Sequence, residues 1–114
     1  MAVSAYATGT QAAAIGTEHF VSSPNAAGVY TFHVDLNAMV SGDVLEVRVY
    51  QMVLTAGTQR VLQYYYFSGA QPTDGKILVT DPIGNELTDA NSLRYSIKQT
   101  AGTGRSFPWK VLTY

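Results

Sequence analysis

The chain carries few charges and no cysteine. Its 114 residues include 7 Lys and Arg and 8 Asp and Glu, so that 13% are charged, about half the share of an average soluble domain. The absence of cysteine excludes disulfides, thiolate metal sites and thiol catalysis. The net charge of −1 gives no general attraction to nucleic acid or to acidic membranes.

Long apolar runs are also missing. No segment approaches the roughly 18 consecutive apolar residues of a membrane span. The N-terminal residues MAVSAYATGT contain neither the basic region nor the apolar region of a secretory signal. We therefore expect a protein that is made in a cytoplasm and has no membrane partner.

The apolar residues that are present follow a strand pattern. The chain is 46% hydrophobic and 11% aromatic, and these residues alternate with polar ones in short runs bounded by Gly, Asn, Asp and Pro. The clearest runs are 28–36, 44–54, 60–67 and 92–99. Such spacing predicts a single all-β domain over residues 15–114, an antiparallel, jelly-roll-like β-sandwich of about seven to eight strands.

Residues 1–14 show no useful period. Two interpretations are open for them. One is a flexible or loosely docked terminus, and the other is an extended arm that becomes ordered only against a neighbouring subunit. The sequence thus predicts an N-terminal arm followed by the sandwich domain.

Two connections carry specific turn signals. Residues 35–43 are too short for a standard helix and predict one helical turn at a sheet-to-sheet corner, closed by Gly42 in a left-handed conformation. Leu36 and Met39 are expected to plug the end of the core there. Residues 55–58 predict a tight hairpin in which Gly57 supplies the positive φ.

The run from Gln63 to Phe67 is the most specific local feature. Because adjacent side chains of a strand point to opposite faces, Val61, Tyr65 and Phe67 are predicted to enter the core. Leu62, Tyr64 and Tyr66 then stand on the outer face, and Tyr50 of the preceding strand extends the same patch.

Three interpretations of the outer tyrosines remain open. They lie under a loop or form cross-strand pairs, they form an aromatic patch that is buried on assembly, or they form a platform for stacking sugars. The Gly-rich segment 100–106 lacks the spacing of a phosphate-binding loop. It predicts a mobile or partner-ordered loop, which leaves Arg105 and Trp109 available for contact.

No set of residues predicts catalysis or metal binding. His19 and His33 are the only histidines, and His33 has only Asp35 as a candidate partner on its strand face. The other aspartates sit mostly in turn sequences. We therefore expect neither an enzyme nor a cofactor or metal site. Acidic residues concentrate in 71–90 and basic ones follow Asp89, which allows head-to-tail contact between copies or neutralisation within one subunit.

Two stretches carry a family resemblance. Residues 28–49 (GVYTFHVDLNAMVSGDVLEVRV) and 98–112 (KQTAGTGRSFPWKVL) resemble small β proteins of tailed bacteriophages, which are similar to head decoration, or cement, proteins. The resemblance implies a virion structural protein that is added to the outside of an assembled capsid, where the major capsid protein is its partner. It also implies a homo-oligomer, commonly a trimer, and no catalytic residues.

The expected contact residues follow from these observations. They are Tyr50, Tyr64, Tyr66, Arg105 and Trp109, with residues 1–14 as an added clasp. The alternatives are a recognition module that binds carbohydrate or a host surface, and a structural protein of the tail or neck.

Overall fold

The computed structural model describes residues 2–114 and contains two antiparallel sheets. Its strands are β1 (Ser4–Ala12), β2 (Glu18–Ser22), β3 (Gly28–Asp35), β4 (Val44–Gln51), β5 (Arg60–Ser68), β6 (Ile77–Val79), β7 (Ile83–Asn85), β8 (Leu93–Ala101) and β9 (Ser106–Thr113). Sheet A has the order β1-β9-β3-β6, with β7 also paired to β3, and sheet B has the order β2-β8-β4-β5. The predicted all-β sandwich is confirmed, with nine strands.

The core lies between the inner faces of the two sheets. Alternate residues of β3, β4 and β8 supply most of it, since side chains of a strand alternate between its faces. The buried members of these three strands are Tyr30, Phe32, Val34, Leu45, Val47, Val49, Leu93, Tyr95 and Ile97. The rings of Phe32 and Tyr95 stack across the sheets with their centroids 4.7 Å apart.

The N-terminal segment differs from the predicted arm. Residues 4–12 form β1, which pairs with β9 of the same chain from Ser4 opposite Thr113 to Ala12 opposite Ser106. The Trp109 ring lies over Gly9, where a β-carbon would come within 2.9 Å of that ring. Seven of the nine residues of β1 are exposed, so the strand has no buried face that would require alternating apolar residues.

The corner between β3 and β4 contains two tight turns instead of the predicted helical turn. Met39 N donates to Leu36 O, and Asp43 N donates to Val40 O, both at 3.1 Å. The remaining predictions for this corner are confirmed, since it joins sheet A to sheet B, Leu36 and Met39 are buried, and Gly42 has a φ of 93°.

The connection between β4 and β5 also differs in detail from its prediction. The residue with positive φ is Ala56, at 57°, and not Gly57. Gly57 is required for a steric reason, because a β-carbon there would lie 2.8 Å from the Leu54 carbonyl oxygen.

Asp43 is buried at the corner, although its sequence context predicts an ordinary turn aspartate. Its Oδ2 accepts hydrogen bonds from Val40 N at 3.0 Å and from Arg105 Nε at 2.8 Å, and its Oδ1 accepts one from Thr103 N at 3.3 Å. Burial alone would raise the pKa of Asp43, but these hydrogen bonds outweigh it and lower the pKa. The loop before β9 passes so close that any side chain at Gly102 would collide with this carboxylate.

Replacing Asp43 by Asn should lower the free energy of unfolding at pH 7 by about 2–4 kcal/mol, because hydrogen bonds to a charged acceptor are lost inside the protein. The pKa of Asp43 is depressed in the folded state. Its contribution to the free energy of unfolding is therefore present above the unfolded pKa of about 3.9 and is lost as the pH falls through the folded pKa. Urea titrations at pH 7 and pH 2.5 should therefore show the difference between wild type and Asp43→Asn shrinking in acid. The exposed Asp74→Asn variant should change stability by less than about 0.5 kcal/mol at either pH, and an undiminished difference at pH 2.5 would contradict this role of Asp43.

Tyr95 places a hydroxyl in the core with no hydrogen-bond partner among residues 2–114. An unpaired buried hydroxyl is destabilising, so Tyr95→Phe should raise the free energy of unfolding by about 1 kcal/mol. Tyr30→Phe is the matched control, because the Tyr30 hydroxyl donates to Ala26 O at 2.6 Å, and its loss should lower stability by about 1 kcal/mol. Chemical denaturation of both variants checks the pair, and a less stable Tyr95→Phe variant would show that this hydroxyl does have a partner.

Candidate functional site

The outer face of sheet B is an ordered array of aromatic and charged side chains. Three rows cross the sheet, as the strand register shows: Glu18, Lys98, Glu46 and Tyr66; Phe20, Ser96, Arg48 and Tyr64; and Arg94, Tyr50 and Val61. We call the exposed part of this array, formed by Tyr64 and Tyr66 with Leu62 beside them, the tyrosine face.

Glu18 organises one side of the array. Its Oε2 accepts hydrogen bonds from the Tyr50 hydroxyl and from Ser96 Oγ, each at 2.6 Å. Burial and the bond to Glu18 together raise the pKa of Tyr50 to about 12. The guanidinium of Arg94 lies over the Phe20 ring, 3.4 Å from its centroid, which is a close cation–π contact.

Glu46 organises the other side. Its Oε2 accepts from the Tyr64 hydroxyl at 2.7 Å, and its Oε1 accepts from Arg48 at 2.9 Å. The bond from Tyr64 contributes most to lowering the pKa of Glu46, burial opposes it, and Arg48 lowers it further. Arg48 also lies 5.0 Å from the centroid of the Tyr64 ring, so this ring is held from its hydroxyl and from its face.

The two outer tyrosines are nevertheless well exposed. Tyr64 keeps 48% and Tyr66 keeps 57% of its surface, so no loop within residues 2–114 covers them. They do form cross-strand pairs, Tyr64 with Arg48 and Tyr66 with Glu46. Only the covering loop is therefore excluded within residues 2–114, and cross-strand pairing, an assembly patch and a stacking platform all stay open.

The face assignments within β5 are confirmed except at its start. Tyr65 and Phe67 pack against the core, as predicted. Val61 does not enter the core, because the register shifts between Val49, which is opposite Gln63, and Tyr50, which is opposite Val61. This bulge leaves Leu62 as the extra residue and turns Val61 to the outer face.

The free edge of β5 adjoins the tyrosine face. β5 is the outermost strand of sheet B, and within residues 2–114 the main-chain groups of 61–67 form hydrogen bonds to no element other than β4. The strand contains no Pro or Gly and has one charge, Arg60, at its start. Proteins usually block exposed edges with charges, prolines or covering loops, so this edge is open to a partner.

Trp109 and Arg105 are partly buried and engaged by their own domain, which corrects the prediction that they are free for contact. Trp109 points to the inner face of sheet A, with its ring 6.3 Å from that of Phe32. Arg105 forms a salt bridge with Asp43 at 2.8 Å. The predicted mobile loop is ordered within the chain, because the buried side chain of Gln99 accepts from Arg105 N at 2.9 Å and donates to Thr103 O at 2.7 Å.

His33 does not bond to Asp35, the candidate partner that the sequence offered on its strand face. His33 Nε2 lies 3.3 Å from Thr31 Oγ1, while Asp35 Oδ1 accepts from Asn37 N at 2.9 Å. His19 Nε2 accepts from Ala14 N at 3.1 Å. Within residues 2–114 no three His, Asp or Glu side chains come close enough together to hold a metal ion, and no helix has the length and apolar character needed to cross a membrane.

Comparisons with known protein families, curated proteins and solved structures find no match for this chain. The class of the protein, an all-β sandwich, follows from its two antiparallel sheets. Its function is inferred from its surfaces, and the tyrosine face is the surface with the most ordered aromatic and charged contacts beside exposed rings.

The Tyr50 and Glu18 contact has a measurable consequence in alkali. Tyr50 should ionise near pH 12, above the usual value of about 10, so its contribution to stability is complete below pH 10 and is lost as the pH rises through about 12. Burial raises the pKa of Tyr95 as well, so the Tyr50 signal is assigned as the one missing from Tyr50→Phe. NMR of ring-labelled tyrosine should show this Tyr50 phenol titrating late, and Glu18→Gln should move its pKa down. The exposed Glu86→Gln variant should leave it in place, and an unchanged pKa in Glu18→Gln would contradict the assignment.

Proposed function

We propose that this chain is a structural protein of a virion, a cement protein that binds the outside of an assembled phage capsid through its tyrosine face. One observation carries the proposal: Tyr64 and Tyr66 are about half exposed, while Tyr64 is fixed by Glu46 and Arg48. Large aromatic side chains that are ordered before binding lose little entropy when a partner covers them.

The composition of the patch supports a protein partner. Tyr and Arg are enriched at protein interfaces, and they dominate the residues that contribute most of the binding energy. Leu62 and Val61 add exposed apolar surface on β5 itself, and Phe20 lies on the same face at the opposite edge of sheet B. Exposed apolar side chains that gather on one face are typical of an interaction site.

The polar groups of the patch argue against a sugar as its ligand. Sugar recognition combines ring stacking with free hydrogen-bonding groups, but Glu46 already accepts from Tyr64 and from Arg48. Glu18 likewise accepts from Tyr50 and Ser96. The groups beside the exposed rings are therefore mostly satisfied, which suits contact with a complementary protein surface better than recognition of hydroxyls.

Stabilisation of the capsid would follow from mass action. A protein that binds the assembled lattice but not the free subunits shifts the equilibrium toward the lattice. An interface of standard size buries roughly 1,600 Å², and repetition around a closed shell makes modest individual contacts effectively permanent. The major capsid protein is the partner in this proposal, and several copies of the chain act on each local symmetry axis.

Replacing both exposed tyrosines tests the proposal. The double variant Tyr64→Ser, Tyr66→Ser should bind phage heads roughly tenfold more weakly or worse, because central aromatic residues usually dominate an interface. Co-sedimentation with phage heads assembled from the major capsid protein of the same phage measures the binding, with unassembled capsid protein as the second sample.

Tyr114→Ser is the matched control, since Tyr114 is also exposed but lies after β9 of sheet A, and it should bind like wild type. Wild-type protein that does not sediment with heads, or a double variant that binds as well as wild type, would overturn the proposal. Sedimentation with tails in place of heads would identify a tail or neck protein.

A further inference from the structure

β5 has a more regular edge than the other outermost strands of the two sheets. β6 has three residues, and β2 has five and contains a bulge. The pairing of β1 with β9 shifts its register near the start. β5, in contrast, pairs with β4 without interruption from Gln63 to Ser68 and carries no charge after Arg60. Short strands, bulges and charges are the usual protection of a sheet edge, and this stretch of β5 has none of them.

The register shows which main-chain groups of β5 point to the free edge. In an antiparallel pair, opposite residues alternate between those that exchange hydrogen bonds and those that do not. Gly69 N donates to Asp43 O at 2.8 Å, and these residues continue the register of β4 and β5. Counting on in steps of two, the bonded pairs are Leu45 with Phe67, Val47 with Tyr65 and Val49 with Gln63. The main-chain groups of Tyr64 and Tyr66 therefore point away from β4.

The other side of β4 gives the same direction. Met52 N donates to Ser92 O at 3.0 Å, which continues the register of β4 and β8. By the same alternation, the main chain of β4 at its two positions opposite Tyr64 and Tyr66 is bonded to β8 and not to β5. Within residues 2–114 each of these tyrosines thus presents one N–H and one C=O at the edge.

A second copy of β5 can meet these groups in an antiparallel register centred on Tyr65. In this register Tyr64 lies opposite Tyr66 of the second copy, and Tyr66 lies opposite its Tyr64. Each of the two pairs exchanges both main-chain hydrogen bonds and brings two aromatic rings together on one face, which stabilises a sheet. The paired stretch 63–67 contains no charged residue, so no ion has to be removed from water.

The charges beside the tyrosines favour this register. Tyr66 lies next to Glu46, and Tyr64 lies next to Arg48. A centre at Tyr65 gives rows that begin with Glu46 of one copy and end with Arg48 of the other, so that the ends carry opposite charges. A centre at Tyr64 would give a row with Arg48 at both ends, and a centre at Tyr66 a row with Glu46 at both ends. The edge is therefore complementary in charge to a second copy of itself.

We propose that the β5 strands of two copies pair antiparallel about a twofold axis at Tyr65, which joins two copies of sheet B into one sheet of eight strands. A contact of this kind uses the same surface on both copies and closes at two. The outer faces of the two sheets lie on the same side, so the two tyrosine faces form one surface. The proposal goes beyond the proposed function and does not rest on it, because it concerns association of the chain in the absence of phage heads.

A proline at position 66 tests the main-chain contact. Tyr66→Pro removes the N–H that faces the edge but no hydrogen bond to β4, and proline is tolerated in an edge strand at such a position. Tyr66→Ser is the matched control, because it removes the same ring and keeps the N–H. Sedimentation equilibrium without heads should show wild type forming dimers and Tyr66→Pro associating at least roughly tenfold more weakly than Tyr66→Ser. Strand pairing buries a small interface, so the protein is measured at concentrations up to about 1 mM.

Disulfide formation tests the register independently of the proline variant. The chain contains no cysteine, and bonded residues of an antiparallel pair lie about 5.5 Å apart at Cα, within the reach of a disulfide. An equimolar mixture of Tyr64→Cys and Tyr66→Cys should form a mixed disulfide under mild oxidation, several-fold more than either variant forms with itself. Tyr114→Cys is the control, because Tyr114 is exposed but lies outside β5, and it should form mixed disulfides with neither.

Monomeric wild type at all these concentrations, equal association of Tyr66→Pro and Tyr66→Ser, or cross-linking of either cysteine variant mainly with itself would each overturn the proposal. Monomeric wild type together with weaker head binding by Tyr66→Pro than by Tyr66→Ser would show that the edge pairs with a strand of the capsid protein instead. Dimers that do not sediment with heads would overturn the proposed function and leave the pairing intact.

Discussion

The buried carboxylate of Asp43 is the interaction on which the arrangement of the sheets depends. It lies where the chain leaves sheet A and enters sheet B, and it accepts hydrogen bonds from the corner itself and from the loop before β9. One side chain thus holds together the β3–β4 connection and the β8–β9 connection. A carboxylate that is removed from water is tolerated only when its oxygens are satisfied, so the local geometry around it is narrowly defined.

The hydrogen bonds accepted by Asp43 at this corner also affect the outer face of sheet B. β4 begins next to Asp43 and carries Glu46, Arg48 and Tyr50 across sheet B at alternate positions. The same strand ends at the loop that exposes Val53 and Leu54. A shift of β4 by one residue would exchange its core and surface side chains, so the tyrosine face depends on the register that starts at the corner.

The sequence allowed prediction of the strands whose own side chains alternate, and it failed where the pattern depends on distant residues. β3, β4 and β8 each place large apolar side chains in the core at alternate positions, and this alternation is visible without a structure. β1 could not be predicted because seven of its nine residues are exposed and its partner β9 lies about a hundred residues further along the chain. Val61 was misplaced because the bulge at Leu62 leaves no mark in the alternation.

The same limit applies to the candidate site. Tyr64 and Tyr66 follow from their spacing along one strand, and their predicted face is confirmed. Arg105 was misread as a contact residue because its partner, Asp43, lies 62 positions away. Val53 and Leu54 show the same limit: the alternating pattern extends the strand to Leu54, but β4 ends at Gln51 and both side chains are exposed.

Two salt bridges within the domain further reduce the small number of charges that are free on its surface. Asp43 with Arg105 and Glu46 with Arg48 neutralise each other within the domain, which removes four side chains from an already short set of charges. The remaining surface is largely hydroxyl, amide, aliphatic and aromatic. Covering such surface with another protein requires little removal of water from ions, the step that makes charged interfaces costly. The low charge of this surface therefore supports the proposed contact with another protein, because an isolated domain usually depends on an ionic surface to stay dispersed in solution.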